Sequence, residues 1–117
     1  DKHLRSVRYW RDDYHYLHKV RRADRVFLAG ITSKIVHDLI KILFALNETY
    51  YVGDGNNLEA VSAFKHRPDG FVARVERVLY PSHKVDTLER QRNSLIALVD
   101  EVEALAENLE GANESSE

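Results

Sequence analysis

Residues 47–57 gather more chemically versatile side chains than any other stretch of this 117-residue chain, in the order NETYYVGDGNN. Glu48 and Asp54 could act as a carboxylate base or hold a cationic or hydroxylated ligand. Tyr50 and Tyr51 could stack on a ring that the asparagines hydrogen-bond. A structural role fits equally well, with the first asparagine bonding backbone at a helix end and one tyrosine in the core. The candidate substrate-binding residues are Asn47, Glu48, Tyr50, Tyr51, Gly53 and Asp54.

A second candidate group lies in the basic N-terminal stretch. His15 and His18 stand three residues apart, one turn after Asp12, and could offer two or three metal ligands. Exposed histidines explain the spacing as well, and no further ligand is evident, so we predict no metal site. Arg11 and His18 are spaced in a way that resembles the ribonuclease motif of HEPN-type domains. There, arginine would stabilise phosphate and histidine would act as acid or base, which gives an alternative hypothesis.

Charge is unevenly distributed along the chain, although its net charge is only -2. Residues 1–25 hold eight basic and four acidic side chains, whereas residues 99–117 hold seven acidic and no basic ones. The two ends could attract each other within the fold, or both could be solvated faces. The remaining alternative is that Arg8 and Arg11 face an anionic ligand such as nucleotide phosphate.

The helix that must position residues 47–57 lies directly before them. We predict a central helix over residues 25–49, ended by Gly53 and Gly55, because glycine enters left-handed backbone geometry at little cost. Its apolar residues form two stripes at helical spacing, which indicates neighbours on several sides. The stripes contain Leu28, Ile31, Ile35, Leu39, Ile42 and Leu46, and Phe27, Val36, Ile40, Leu43 and Phe44.

The remaining elements are also predicted to be helical. Asp24 is the expected N-cap of the central helix, and Asp86 with Glu89 forms a capping-box pattern in the last one. That last helix carries an apolar seven-residue repeat, which fits either bundle packing or a dimeric coiled coil. The predicted ranges are 3–22, a short helix after Asn56 or Asn57, 69–79 and 84–110. The fold class is therefore all-α: an antiparallel helical bundle of four main helices plus one short helix over residues 1–110, with a frayed acidic tail at 111–117.

Composition excludes several classes of protein. There are no cysteines, so disulfide frameworks and thiolate metal sites are excluded, and a cytoplasmic location is expected. No apolar run approaches the length of a membrane span. Phosphate-binding loops, nucleophile motifs and the paired aspartates of a nucleotidyltransferase are missing. Because there is also no methionine, we expect the chain to be part of a longer product and not an enzyme by itself.

One stretch resembles a known family. Residues 43–57 are similar to a motif in the helical domain that follows a minimal nucleotidyltransferase domain, Leu-Phe-x-Leu-Asn-x-x-Tyr-(Tyr/Phe)-x-Gly-Asp-Lys-Trp. Pro68 and Phe71 resemble its downstream Pro-x-x-Phe. The chain departs from the motif at Val52, where relatives tend to have proline, and at Gly55-Asn56, in place of Lys-Trp. The matching residues are Leu43, Phe44, Leu46, Asn47, Tyr50, Tyr51, Gly53 and Asp54.

The resemblance implies a function. In such two-domain proteins the HEPN-like helical domain presents the acceptor substrate, and the other domain holds nucleoside triphosphate and Mg²⁺. This chain would therefore be the accessory substrate-binding domain, with no cofactor of its own. Its expected partner is an N-terminal nucleotidyltransferase domain in cis or in trans. A homodimer through the last helix is the open alternative, and neither membrane nor nucleic acid is an expected partner.

Overall fold

The computed structural model describes residues 2–51, 53, 56–80 and 85–115. Within these ranges every regular element is an α-helix, so the protein is all-α as predicted. In chain order the helices are α1 (Lys2–Asp12), α2 (Tyr14–Arg21), α3 (Arg25–Leu46), α4 (Asn57–Val61), α5 (Phe71–Leu79) and α6 (Val85–Ser115). None of these helices combines the length and the apolar character that a bilayer-spanning segment needs.

The helix α3 is the centre of the molecule and contacts every other helix described, from α1 to α6. It begins after Asp24, whose carboxylate accepts a hydrogen bond from the Phe27 amide at 3.2 Å, as an N-cap does. The two predicted apolar stripes are confirmed, because nearly all of their members are buried and Phe27 and Leu46 pack against the core from its edge.

The end of α3 differs from the prediction. The helix ends at Leu46, ahead of both glycines, and the residue in the left-handed region is Glu48, at a φ of 53°. Thr49 donates its amide to the Phe44 carbonyl at 2.9 Å, and Glu48 donates to the Ala45 carbonyl at 3.1 Å. These two bonds form a Schellman motif, in which satisfied carbonyls offset the cost of the unusual backbone conformation.

The single helix predicted over residues 3–22 is wrong. The chain breaks at Asp13, whose backbone is extended and whose carboxylate accepts from the His15 amide at 3.0 Å. This cap starts α2 as a separate helix, because it satisfies an amide that a continuous helix would have paired internally. The break allows α2 to bury Tyr16 and Val20 while α1 packs along α3 and α6.

The last two helices agree with the prediction in position but not in length. In α5 the buried residues are Phe71, Val75 and Val78. The helix α6 continues to Ser115, into the predicted tail, and most of its apolar repeat, from Leu88 to Val102, is buried in the core of its own chain. That burial favours packing within the chain over a dimeric coiled coil. The side chain of Asp86, the predicted cap, lies outside the described part of the structure.

Candidate functional site

Asn47 closes the end of α3 with its side-chain amide. The Nδ2 group donates to the carbonyls of Leu43, at 2.7 Å, and His66, at 2.8 Å, while Oδ1 accepts from the His66 amide at 2.9 Å. Both amide protons are therefore committed to backbone. Asn47 fastens the segment that follows α4 to the end of α3, which is the structural role that the sequence left open.

An open groove lies beside this clamp, where the start of α1, the end of α3 and the last turns of α6 meet. Its volume is about 630 Å³, within the range of small-molecule sites. Glu48 and Glu110 contribute carboxylates to the rim, and Lys65 and His66 lie on the same rim. The apolar part of the lining contains Leu4, Ile42, Ala45, Leu46, Ala106 and Leu109.

The second half of the predicted site lies elsewhere. Tyr51 and Gly53 line a different hollow, of about 310 Å³, between α3 and α4. The Tyr51 ring packs edge-on against Phe44, with ring centroids 5.4 Å apart, and Lys41 Nζ lies 5.3 Å from its centroid. Tyr50 is 95% exposed, and Asp54 is outside the described residues. The structure therefore brings Asn47 and Glu48 together and separates them from Tyr51 and Gly53.

Arg8 and Arg11 point to the acidic helix α6. Arg8 is paired with Glu103, and its Nη2 lies 3.1 Å from Glu107. Arg11 Nη1 lies 3.0 Å from Asp100 and 2.9 Å from Glu103. Hydrogen bonds from Arg8 and Arg11 hold the pKa of the Glu103 carboxyl below its usual range. Contact with phosphate stays a prediction for these arginines, and it would require them to leave these carboxylates.

The structure does not bring the residues of the two histidine patterns together in one site. Because of the break at Asp13, Arg11 and His18 belong to different helices, which removes the single-helix setting of the ribonuclease hypothesis. The His18 ring stacks on Tyr14, with centroids 6.4 Å apart. Among the described residues there is no group of three side chains suited to hold a metal ion.

One polar cluster was not expected from the sequence. Asp38, only 5% exposed, accepts from His3 Nδ1 at 2.8 Å and from Lys34 Nζ at 2.9 Å, and Lys34 also donates to Ser6 at 2.8 Å. Burial alone would raise the pKa of Asp38, but the hydrogen bonds from Lys34, His3 and Ser6 lower it. The spacing of Lys34 and Asp38, four residues apart, was the signal available. This cluster joins α1 to α3.

The sequence analysis also missed Lys65, His66 and Glu110 on the rim of the groove. Lys65 and His66 lie in the segment after α4, and Glu110 lies on α6, so no local sequence pattern shows that they meet in the folded protein.

Comparison of the chain with models of protein families, with curated proteins and with solved structures finds no match.

Proposed function

We propose that this protein is an accessory substrate-binding domain of a nucleotidyltransferase-type protein, and that its acceptor binds in the groove beside Asn47 and Glu48. The catalytic domain, which would hold nucleoside triphosphate and Mg²⁺, lies outside this chain. In this proposal the fold is an antiparallel bundle of four main helical elements plus one short helix. The four main elements are α1 and α2 taken together, α3, α5 and α6, and the short helix is α4.

The observation that carries the proposal is the backbone of Glu48. A non-glycine residue in the left-handed region costs about 1 kcal/mol, and glycine is the usual residue at this position of a Schellman motif. Glu48 holds this conformation on the rim of the groove, with its side chain exposed. Residues with strained backbone conformations cluster at binding and active sites.

The side chains on the rim of the groove indicate which class of ligand it could bind. Glu48 and Glu110 are acceptors for ammonium and hydroxyl groups, and Lys65 and His66 can bond hydroxyl or ether oxygens. Apolar side chains below them suit the faces of sugar-like rings. We therefore infer that the ligand is cationic and hydroxylated, as an aminoglycoside is.

The test is calorimetric titration of the 117-residue chain with kanamycin, and with sucrose as an uncharged hydroxylated compound. Kanamycin should bind with a Kd below about 1 mM, and sucrose should bind at least tenfold more weakly. Glu48→Gly should weaken kanamycin binding at least tenfold, although it should raise the free energy of unfolding by about 1 kcal/mol through relief of the backbone strain.

The matched control is Ala23→Gly. Ala23 has a φ of 54° and occupies the same position of a second Schellman motif, after α2, where Asp24 donates its amide to the Lys19 carbonyl. The substitution should stabilise the fold to a similar extent and leave kanamycin binding unchanged. If the wild-type chain gives no binding heat, or if the two glycine variants bind alike, the proposed site is wrong.

A further inference from the structure

A second groove, separate from the proposed acceptor site, lies between α5 and α6. Its volume is about 460 Å³, a size that holds a mononucleotide-sized ligand. The lining is rich in groups that donate hydrogen bonds and contains no carboxylate among the described residues. It consists of Arg74, Arg77, Val78, Tyr80, Arg90, Gln91, Ser94 and Ala97.

Of the three arginines that line this groove, only Arg74 is balanced by a carboxylate of a described residue. Arg74 is paired with Glu101 on α6. Arg77, one turn further along α5, and Arg90, on the facing helix, are exposed and form no ion pair with any described residue. Two unpaired guanidinium groups that line the same groove repel each other, and an anion bound between them would relieve that repulsion.

Another face of α6 shows how arginines are balanced elsewhere in this chain. Arg8 and Arg11 are also three residues apart on one helix, and there α6 presents three carboxylates to them. Opposite Arg77, the same helix presents Arg90 instead. This groove therefore carries excess positive charge, and arginine can bind phosphate through paired, parallel hydrogen bonds.

Tyr80 adds an aromatic surface at one end of the groove. Its side chain is 80% exposed at the C-terminal end of α5, which leaves a ring face open for stacking. Gln91 donates to the Arg77 carbonyl at 3.4 Å, so its acceptor oxygen remains for a ligand, and the exposed Ser94 hydroxyl can donate or accept. Glu76 lines an adjoining hollow together with Arg77 and Tyr80, and it forms no ion pair with Arg77.

We propose that the α5/α6 groove binds a nucleoside phosphate, with the phosphate held by Arg77 and Arg90 and the base stacked on Tyr80. This inference is independent of the proposed acceptor site, because the two grooves share no residue and differ in ligand.

The experiment is titration of the full chain with AMP, adenosine, inorganic phosphate and a single-stranded RNA oligonucleotide at low ionic strength, where charge contacts are least screened. AMP should bind at least tenfold more tightly than adenosine or phosphate alone. The double variant Arg77→Gln/Arg90→Gln should lose at least tenfold in AMP affinity, and Tyr80→Leu should lose severalfold.

The control is Arg5→Gln/Arg21→Gln, which removes the same charge from exposed positions on α1 and α2. It should keep AMP affinity within twofold of the wild-type chain. All the variants change exposed side chains, so their thermal melts should overlay that of the wild-type chain. Absence of AMP binding, equal losses in both double variants, or binding of phosphate or RNA in preference to AMP would each overturn the proposal.

Discussion

At the scale of single residues, Asn47 shows how one side chain can connect a helix end to a segment far along the chain. Its amide makes three hydrogen bonds to backbone groups, two of them to a residue 19 positions further along the chain. Asn47→Ala should lower the free energy of unfolding by about 2 to 3 kcal/mol, because each lost bond costs about 1 kcal/mol and leaves backbone groups unpaired. Urea denaturation measures this difference.

Two further variants make that prediction specific. Asn47→Asp keeps an acceptor for the His66 amide but cannot donate to either carbonyl, so it should be at least as destabilising as alanine. Asn56→Ala should change stability by less than about 0.5 kcal/mol, because Asn56 precedes α4 without a side-chain capping bond. Equal effects at positions 47 and 56 would show that the clamp contributes nothing.

At the scale of elements, the break between α1 and α2 depends on a cap. Asp13→Ala should lower the free energy of unfolding by about 1 kcal/mol, because the His15 amide loses its acceptor. Asp13→Ser should restore most of that loss, since a hydroxyl oxygen can accept the same bond. Thermal or urea melts compare the three proteins. If alanine and serine behave identically, charge or propensity at this position outweighs capping.

Much of the element order could be predicted from the sequence, because burial leaves a local pattern. The double stripe of α3 gave its position and its neighbours on several sides. The break at Asp13 was missed because apolar spacing continues across it, although an aspartate before Tyr14 was the signal of a cap. The helix end at Leu46 was missed because Glu48, and not one of the two glycines, takes the left-handed conformation.

The candidate sites were predictable only where their residues are close together in the sequence. Asn47 and Glu48 could be chosen as candidates because they are adjacent to each other and follow a recognisable helix, and their role in binding stays a prediction. Lys65 and Glu110 join Glu48 only through packing, and no spacing in the chain indicates that they meet. The groove between α5 and α6 escaped detection for the same reason, since Arg77 and Arg90 look like ordinary solvated charges when each helix is considered alone.

At the scale of the whole molecule, the basic first helix and the acidic last helix are joined by ion pairs. The arginines of α1 meet α6 at Glu103 and its neighbours, and Arg74 of α5 meets α6 at Glu101. In both carboxylates the pKa is lowered, by hydrogen bonds from these arginines. The acidic half of α6 is thus held against two other helices by groups that must stay ionised.

Because the folded pKa of Glu103 lies below its unfolded value of 4.5, the unfolded state binds more protons once the pH falls through that value. The contribution of Glu103 to stability should therefore be complete above about pH 5.5 and be lost progressively as the pH falls below about 4.5 towards the folded pKa. Glu103→Gln should be less stable than the wild-type chain at pH 7, and the difference should shrink as the pH falls to 3. Urea denaturation at low ionic strength measures this difference.

The control is Glu89→Gln, at an exposed position of the same helix, which should match the wild-type chain throughout. Parallel stability curves for Glu103→Gln and the wild-type chain between pH 7 and 3 would mean that this ion pair does not link the first helix to the last.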